Sequence, residues 1–357
     1  MKKSALHENA GIAPPEIVGA RAVEKIQNLR KTTVDTKDLI KSILKGNRTA
    51  LSKAITIIES TNSSHFTVAN EIINACLPNA NNSIRIGITG VPGVGKSTFI
   101  EVFGKHLTSI GRKVAVLAID PSSSISNGSI LGDKTRMEEL VKDPNAYIRP
   151  SASGGTLGGV ARKTRQTITL CEAAGFDVIL IETVGVGQSE TAVHGMVDFF
   201  LLLNLAGAGD GLQGIKRGIM EMADLVVINK ADGDNVTSAR LASTEINRAL
   251  HFFAMKKSGW SPKAITCSAF YNIGISDVWK IILNYTELTK ANNYNEVHRA
   301  EQNQFWMIET INESLKNDFY NNQAVALMLS EKKLAVKSGL LSPFMAATEL
   351  LAKYFSK

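Results

Sequence analysis

Residues 90–98, Gly90-Val91-Pro92-Gly93-Val94-Gly95-Lys96-Ser97-Thr98, match the pattern G-x-x-x-x-G-K-S, which indicates a phosphate-binding P-loop. They follow a β-branched run, Ile84–Thr89, that predicts a buried strand. Glycines let backbone N–H groups turn inward around a polyphosphate, and the helix that follows presents its positive N-terminal end to the anion. In such a loop Lys96 reaches the β- and γ-phosphates, and the Ser97 hydroxyl can ligate Mg²⁺. A glycine-rich turn that matches by chance is the alternative, and the preceding strand and following helix argue against it.

Further short apolar runs follow the P-loop, separated by helix-length segments. They are Val114–Ile119, Ala146–Ile148, Val178–Ile181, Val197–Leu203, Leu225–Ile228 and Ala264–Thr266. Several are apolar on consecutive residues, as expected for strands covered on both faces. The pattern therefore predicts an α/β fold with a mostly parallel sheet.

The apolar residues on either side of this region have helical spacing instead. One stripe comprises Leu51, Ala54, Ile55 and Ile58, and another comprises Ile308, Ile311, Leu315 and Phe319. We therefore expect a helical N-terminal arm over residues 1–82, the P-loop domain over residues 83–289 and a helical C-terminal segment over residues 290–357. The apolar stripes of that last segment favour a role in dimerisation.

Asn229-Lys230-Ala231-Asp232 follows the predicted strand Leu225–Ile228 and matches N-K-x-D, an element that reads guanine. Guanine presents N1–H and its N2 amino group as adjacent donors, and an ionised Asp232 can accept from both. Adenine has an acceptor at N1 that would face the carboxylate unpaired, so the contact selects guanine. Lys230 can lay its alkyl stem along the base, and Asn229 can tie this loop to the P-loop.

A second base loop is predicted at Cys267-Ser268-Ala269-Phe270, after the run Ala264–Thr266. A backbone N–H of this loop can meet guanine O6, which makes Ser268, Ala269 and Phe270 candidate base contacts. On its own, N-K-x-D is a common tetrapeptide and often a helix cap. Its position after a buried strand and downstream of a P-loop favours GTP or GDP as the ligand.

Two more of the predicted strands are followed by carboxylates, Asp120 and Glu182. The carboxyl ends of parallel strands face the ligand crevice, so both acids join Ser97 as candidates for holding Mg²⁺ directly or through water. Asp133 is a third acidic candidate. The alternative for each acid is a helix N-cap just after a strand.

Glu182-Thr183-Val184-Gly185 stands where GTPases carry D-x-x-G, so the Gly185 N–H is the candidate sensor of the γ-phosphate. Ras-like enzymes place a water-orienting Gln directly after that glycine, whereas here the residue is Val186. We therefore expect slow hydrolysis unless a partner completes the site. Lys216 and Arg217 adjoin a glycine-rich segment and could bring a cation to the phosphate, with an ordinary solvated helix face as the alternative. The candidate catalytic residues are Lys96, Asp120, Gly185 and Lys216.

Composition narrows the class of protein. The net charge is +7, but Lys and Arg are dispersed without interleaved aromatics, which favours a solvated surface over nucleic-acid binding. The three cysteines form no C-x-x-C pair, which favours a reducing compartment. The N-terminus lacks an apolar signal region, and the apolar run Phe199–Leu203 is too short to span a bilayer. We expect a cytoplasmic protein that binds neither nucleic acid nor membrane.

Together these motifs resemble one family, the MeaB/ArgK G-proteins, which are GTPase chaperones of adenosylcobalamin-dependent methylmalonyl-CoA mutase. The segments that carry the resemblance are Gly90–Thr98, Ile119–Ser123, Gly154–Arg162, Glu182–Ser189, Gln213–Ile219 and Asn229–Gly233. The resemblance covers the chain from about residue 46 to about residue 290.

This resemblance implies a SIMIBI-class G domain, a C-terminal dimerisation element and homodimers that bind the mutase and gate cofactor loading or rescue. It also implies that Gly207–Gly218 is an extra mobile switch that relays nucleotide state to the mutase. One departure concerns that switch, because Gly211 stands where the family pattern has an acidic residue after Asp210.

Two other functions fit part of the pattern. A metal-inserting GTPase of the nickel-maturation type needs a His- or Cys-rich site, whereas the six histidines here are scattered. A scaffold protein with a GTP site and no turnover also fits, and a turnover assay with and without mutase separates it from an enzyme. The glycine-rich stretch Ser153–Gly159 lacks the spacing of a dinucleotide fingerprint, so we expect a mobile loop there.

Overall fold

The computed structural model of the chain describes residues 35–60, 62, 64–119, 137–150, 157–183, 189–207 and 217–356. Strands in these ranges form one sheet. In chain order they are β1 (Ile84–Gly90), β2 (Val114–Ile119), β3 (Ala146–Arg149), β4 (Val178–Thr183), β5 (Phe199–Leu205), β6 (Leu225–Asn229) and β7 (Lys263–Thr266). The order across the sheet is β3-β2-β4-β1-β5-β6-β7, and all neighbours are parallel. This confirms the predicted α/β fold.

The described helices cover both faces of the sheet and make up most of the described chain before β1 and after β7. In chain order they are α1 (Thr36–Leu44), α2 (Arg48–Glu59), α3 (Ser64–Cys76), α4 (Lys96–Ser109), α5 (Glu138–Lys142), α6 (Leu157–Ala173), α7 (Ser189–His194), α8 (Arg217–Met222), α9 (Val236–Leu250), α10 (Ile275–Ala291), α11 (Tyr294–Asn321), α12 (Gln323–Lys337) and α13 (Pro343–Phe355).

Six of the seven described strands have limits that differ from the predicted ones by one or two residues, and the differences in β4 and β5 concern the site and its surroundings. β4 continues to Thr183, so Glu182 lies inside the strand and pairs with Ile88 of β1 instead of following the strand. β5 begins two residues later than predicted, because the Val197 carbonyl accepts from the Gln302 side chain and the Asp198 carboxylate accepts from the backbone of β1.

Alternate residues of the strands enter two cores on opposite faces of the sheet. Along β4, Ile179 and Ile181 join a cluster with α2, α3 and α6, whereas Val178 and Leu180 join a cluster with α4 and α10. Fully burying one such aliphatic side chain contributes about 1.5–3 kcal/mol. The sheet is thus covered on both faces, as the continuous apolar runs predict.

The described part of the N-terminal region is helical, as expected. The stripe of apolar residues on α2 is buried and faces α6. Gly46, with φ +77°, follows the end of α1, which is the place where the sequence predicts a helix stop.

The C-terminal region is helical as well. Near its start α11 is buried against the sheet domain at Arg299, Gln302 and Trp306. Further along, Ile308, Ile311 and Leu315 of the predicted stripe on α11 are exposed and Phe319 is half-buried. Leu327 on α12 and Phe344 on α13 are exposed as well. Ser342 caps α13 with Pro343 at the first helical position. Among the described helices, none is both long and apolar enough to cross a membrane.

Candidate functional site

The P-loop joins β1 to α4 and requires glycine at two positions. At Gly90 a Cβ atom would lie 2.5 Å from the Leu203 carbonyl oxygen of the neighbouring strand β5. At Gly95, where φ is +93°, a Cβ atom would lie 2.9 Å from Asn229 Nδ2. Neither position has room for a side chain, so only glycine allows the loop to turn this tightly.

Lys96, the first residue of α4, folds back over this loop. Its Nζ atom donates to the carbonyl oxygens of Gly90 at 2.7 Å and Val91 at 3.2 Å. Burial lowers the pKa of Lys96, and the nearby carboxylates of Glu182 and Glu190 act in the opposite direction. The cation is thus held at the mouth of the loop in a site of low polarity, where its attraction to phosphate is stronger than in water.

Ser97 and Glu182 are the two described candidates for a metal site, and the structure brings them together. Ser97 Oγ donates to Glu182 Oε1 at 3.4 Å. Below them, Thr183 Oγ1 donates to Thr89 Oγ1 at 2.9 Å and fixes the end of β4 against β1. A hydroxyl and a carboxylate at this spacing are hard oxygen donors of the kind that Mg²⁺ prefers. The residues present therefore fit Mg²⁺.

Asn229 connects three loops of the site. Its Nδ2 atom donates to the Val94 carbonyl of the P-loop at 2.9 Å. Its Oδ1 atom accepts from the Ala269 backbone N–H at 3.1 Å and from the Cys267 thiol at 3.4 Å. The side chain is 2% exposed. One amide group thus sets the distance between the phosphate loop and both predicted base loops.

Asp232 lies beside the second base loop. Its Oδ2 atom accepts from Ser268 Oγ, and its side chain makes no capping hydrogen bond to the short 3₁₀ turn Gly233–Asn235 that follows. The helix-cap alternative for N-K-x-D is therefore not what the structure shows. Lys230 has φ +57°, and its Nζ atom donates to the Gly93 carbonyl at 3.0 Å, so its stem spans from the base loop to the P-loop. Phe270 is 79% exposed at the rim.

Comparison with known proteins agrees with this arrangement of loops. The family model described as methylmalonyl Co-A mutase-associated GTPase MeaB matches residues 51–324. The chain belongs to the MeaB family. The match extends past residue 290, so it includes α11, where sequence motifs alone are not clear.

Curated relatives of this MeaB-family chain carry consistent names. GTPase ArgK of Escherichia coli is 45% identical over 85% of this chain and 92% of that protein. A probable GTPase of Mycobacterium tuberculosis is 48% identical over 89% of this chain and 95% of that protein. The mitochondrial methylmalonic aciduria type A homolog of Mus musculus is 45% identical over 89% of this chain and 79% of that protein.

A solved structure agrees as well. A crystal structure described as LAO/AO transport system kinase has 37% sequence identity and a TM-score of 0.71, covering 90% of this chain and 98% of that one. The protein is a P-loop GTPase that hydrolyses GTP.

Several predicted site residues of this MeaB-family GTPase lie outside the described ranges. They are Asp120, Asp133, Gly185 and Lys216. Most of the proposed extra switch, residues 208–216, lies outside them too. Within the described ranges, the nine P-loop residues, Glu182, the N-K-x-D loop and the Ser268 loop all lie at the carboxyl edge of the sheet.

One expectation is wrong in part. The glycine-rich stretch is not a loop throughout, because α6 begins at Leu157 and includes Gly158 and Gly159. Gly158 lies directly against the Glu313 side chain of α11, where a Cβ atom would collide. This glycine allows two helices to approach closely.

Glu190 is a residue of the site that sequence reasoning missed. It is 4% exposed in the first turn of α7, and its charge acts on Lys96. The available signal was its position at a helix N-terminus, just after Ser189, where an acid is favoured. The Thr89–Thr183 contact was also missed, because nothing in either strand alone shows that the two hydroxyls face each other.

Proposed function

We propose that this protein uses GTP and Mg²⁺ to act as a chaperone of an adenosylcobalamin-dependent methylmalonyl-CoA mutase. In this role it gates the loading of the cofactor and protects or reactivates the mutase. The supporting observation is the Asn229 side chain, which joins a P-loop and two guanine loops in a chain of a family described as mutase-associated.

Each described residue has a defined task in this proposal. The P-loop backbone and Lys96 bind the β- and γ-phosphates, and Asp232 accepts from N1–H and the amino group of guanine. Ser97 and Glu182 hold Mg²⁺, which when bound neutralises charge on the phosphates. Lys230 lies along one face of the base. Outside the described ranges, Asp120 and Asp133 are further metal candidates, and the Gly185 N–H senses the γ-phosphate.

A partner is needed for fast hydrolysis in this proposal. Val186 occupies the position of the water-orienting Gln, so no side chain in that register positions the attacking water. We infer that the mutase orders the segment Gly207–Gly218 and brings Lys216 or Arg217 to the developing phosphate charge. Ordering such a glycine-rich segment costs conformational entropy, which the partner contact offsets.

Single-turnover hydrolysis tests this function. Wild type, Lys216→Ala and Arg217→Ala are each measured with and without the mutase. We expect the mutase to accelerate the wild type at least tenfold, on the order of a weak arginine finger, and the variants to respond less. An unchanged wild-type rate would refute activation by the mutase. Variants that respond like the wild type would show that this segment does not carry the activation.

We also propose a homodimer held by residues 290–357, in the cytoplasm. The exposed apolar stripe of α11 and the exposed Leu327 and Phe344 form a surface of the kind that a partner subunit covers. Cys76 and Cys171 are free and buried, as in proteins of a reducing compartment.

A further inference from the structure

The short helix α7 lies between β4 and β5 in the chain, so it runs from the carboxyl ends of the strands, where the nucleotide site is, towards their amino ends. At its start, Ser189 is 0% exposed and Glu190 is 4% exposed, and Glu190 lies close enough to Lys96 for their charges to interact. At its centre, Val193 packs on β1 at Gly87, where a Cβ atom would lie 2.9 Å from Val193 Cγ1. Gly87 is three residues before the first glycine of the P-loop. A displacement of α7 would therefore press on β1 just before the P-loop.

The segment that follows α7 is held by α11. Trp306 Nε1 donates to the Gly195 carbonyl at 2.9 Å, and Gln302 Nε2 donates to the Val197 carbonyl at 2.8 Å. Arg299 forms a forked ion pair with Asp198, with Nε donating to Oδ1 at 2.7 Å and Nη2 to Oδ2 at 2.6 Å. We call these three α11 side chains, Arg299, Gln302 and Trp306, the clasp. They lie at positions i, i+3 and i+7, so they share one face of the helix.

The clasp also reaches the start of β1. Arg299 Nη1 and Nη2 donate to the carbonyls of Asn81 at 2.6 Å and Ser83 at 2.7 Å, and the Arg85 backbone N–H donates to Asp198 Oδ2 at 2.9 Å. Burial alone would raise the pKa of Asp198, but the charge and hydrogen bonds of Arg299 hold it below its ordinary value. Because both charges stay ionised in a buried site, the contact has a defined geometry.

The opposite face of α11 carries the exposed stripe. Ile308, Ile311 and Leu315 are 50%, 48% and 59% exposed. At 100° per residue they lie roughly 180° around the helix from the clasp. A shift of the clasp face therefore moves this apolar surface by the same rigid-body motion.

We propose that α11 is part of the GTPase switch: the clasp positions α7 for hydrolysis, and nucleotide state in turn sets the position of α11. This rests on the proposed function, since it requires GTP and GDP to differ in their contacts with the α7 side of the site. Coupling of this kind is reciprocal, so a change at α11 must act back on the nucleotide site. Arg299, Gln302 and Trp306 are positioning residues, because they act through α7 and not on the nucleotide.

The first test separates positioning from general stability. Gln302→Leu removes the donor to Val197, and Gln304→Leu makes the same change at an exposed position of the same helix. We expect Gln302→Leu to lower the turnover number about fivefold, the factor that corresponds to the free energy of one ordinary hydrogen bond, and to change the ratio of the Kd values for GDP and GTP by about twofold. Gln304→Leu should match the wild type in both. Trp306→Phe, which keeps an aromatic ring at this position and loses the indole N–H, should repeat the pattern.

The second test uses the wild-type chain and so does not depend on how a variant folds. Amide hydrogen exchange is followed over residues 295–310 with saturating GDP and with a non-hydrolysable GTP analogue. We expect at least a twofold difference in exchange between the two nucleotides. Equal exchange, together with a Gln302→Leu turnover number equal to that of Gln304→Leu, would overturn the proposal while leaving the GTPase function intact. A wild-type chain that bound neither nucleotide would instead refute the proposed function, and this proposal would fail with it.

Discussion

Replacing Asn229 with alanine should weaken nucleotide binding in addition to lowering the stability of the fold. The variant loses the donor to the Val94 carbonyl and the acceptor for the Ala269 N–H, at 2.9 Å and 3.1 Å. Val94 is 0% exposed and Ala269 is 2% exposed, so water does not readily replace the missing partners.

The size of the effect follows from these two orphaned groups. A buried donor or acceptor left without a partner costs about 1–3 kcal/mol, and the weak thiol contact from Cys267 adds little. The two groups together cost about 2–6 kcal/mol. Part of this cost lowers the free energy of unfolding, and part lowers the binding free energy because the loops must be ordered again around the nucleotide. Since about 1.4 kcal/mol corresponds to a factor of ten, we expect GTP to bind about 10- to 100-fold more weakly.

Asn247 offers a matched control. Its side chain also makes three hydrogen bonds, to Ser243 and to both backbone groups of Ala264, but on α9 and β7 and not between the nucleotide loops. Calorimetric titration with GTP and GDP, alongside urea unfolding, is applied to both variants. Asn247→Ala should lose stability and keep the wild-type Kd. If Asn229→Ala keeps the wild-type Kd, or Asn247→Ala weakens GTP equally, Asn229 does not organise the site.

Three further predictions concern the base loop, the half-buried His194 and the C-terminal helices. Asp232→Asn should weaken GTP by about 2–3 kcal/mol and favour xanthosine triphosphate, because one acceptor becomes a donor; an unchanged GTP affinity in calorimetry would contradict the base assignment. Burial, followed by the charges of Lys256 and His298, lowers the pKa of His194 to about 4. In the unfolded chain this histidine gains a proton near pH 6.5, whereas in the native state it stays neutral until the pH falls to about 4. The free energy of unfolding should therefore fall by about 2 kcal/mol between pH 7 and pH 5 because of His194. In urea unfolding, His194→Phe should remove this part of the pH dependence. Removal of residues 323–357, which takes away the exposed Leu327 and Phe344, should yield a monomer in light scattering, whereas a truncated chain that stays dimeric would exclude α12 and α13 from the interface.

The parts of the site that could be predicted from sequence are those that a single loop determines. In the P-loop, the glycines, Lys96 and Ser97 are close in sequence and attached to one strand and one helix, so their spacing fixes their geometry. The same holds for Lys230 and Asp232 after β6. Short apolar runs likewise located all the strands, with errors only at strand ends, where side-chain contacts and not periodicity decide the limit.

The clasp could not be predicted in this way. Its residues lie 101, 105 and 111 positions from their partners, so no local pattern connects them. Their spacing along α11 resembles that of any helix face, and Arg299 and Gln302 are residue types that ordinarily lie on the surface. Only the packing of α11 against the segment after α7 shows that these polar side chains are buried and paired.

The two sides of the nucleotide site are therefore suited to different tasks. Asn229 joins the P-loop to the predicted base loops directly, so we expect these loops to move together and to respond alike to GTP and GDP. On the β4 side of β1, α7 is connected instead to the clasp through the segment that follows it. A ligand shifts a conformational equilibrium only as far as it binds one conformation more tightly than the other. GTP and GDP differ by the γ-phosphate, so contacts to this phosphate must produce any difference between their effects. A substitution at Asn229 should accordingly weaken both nucleotides by the same factor, whereas one at Gln302 should change the ratio of their effects on α11.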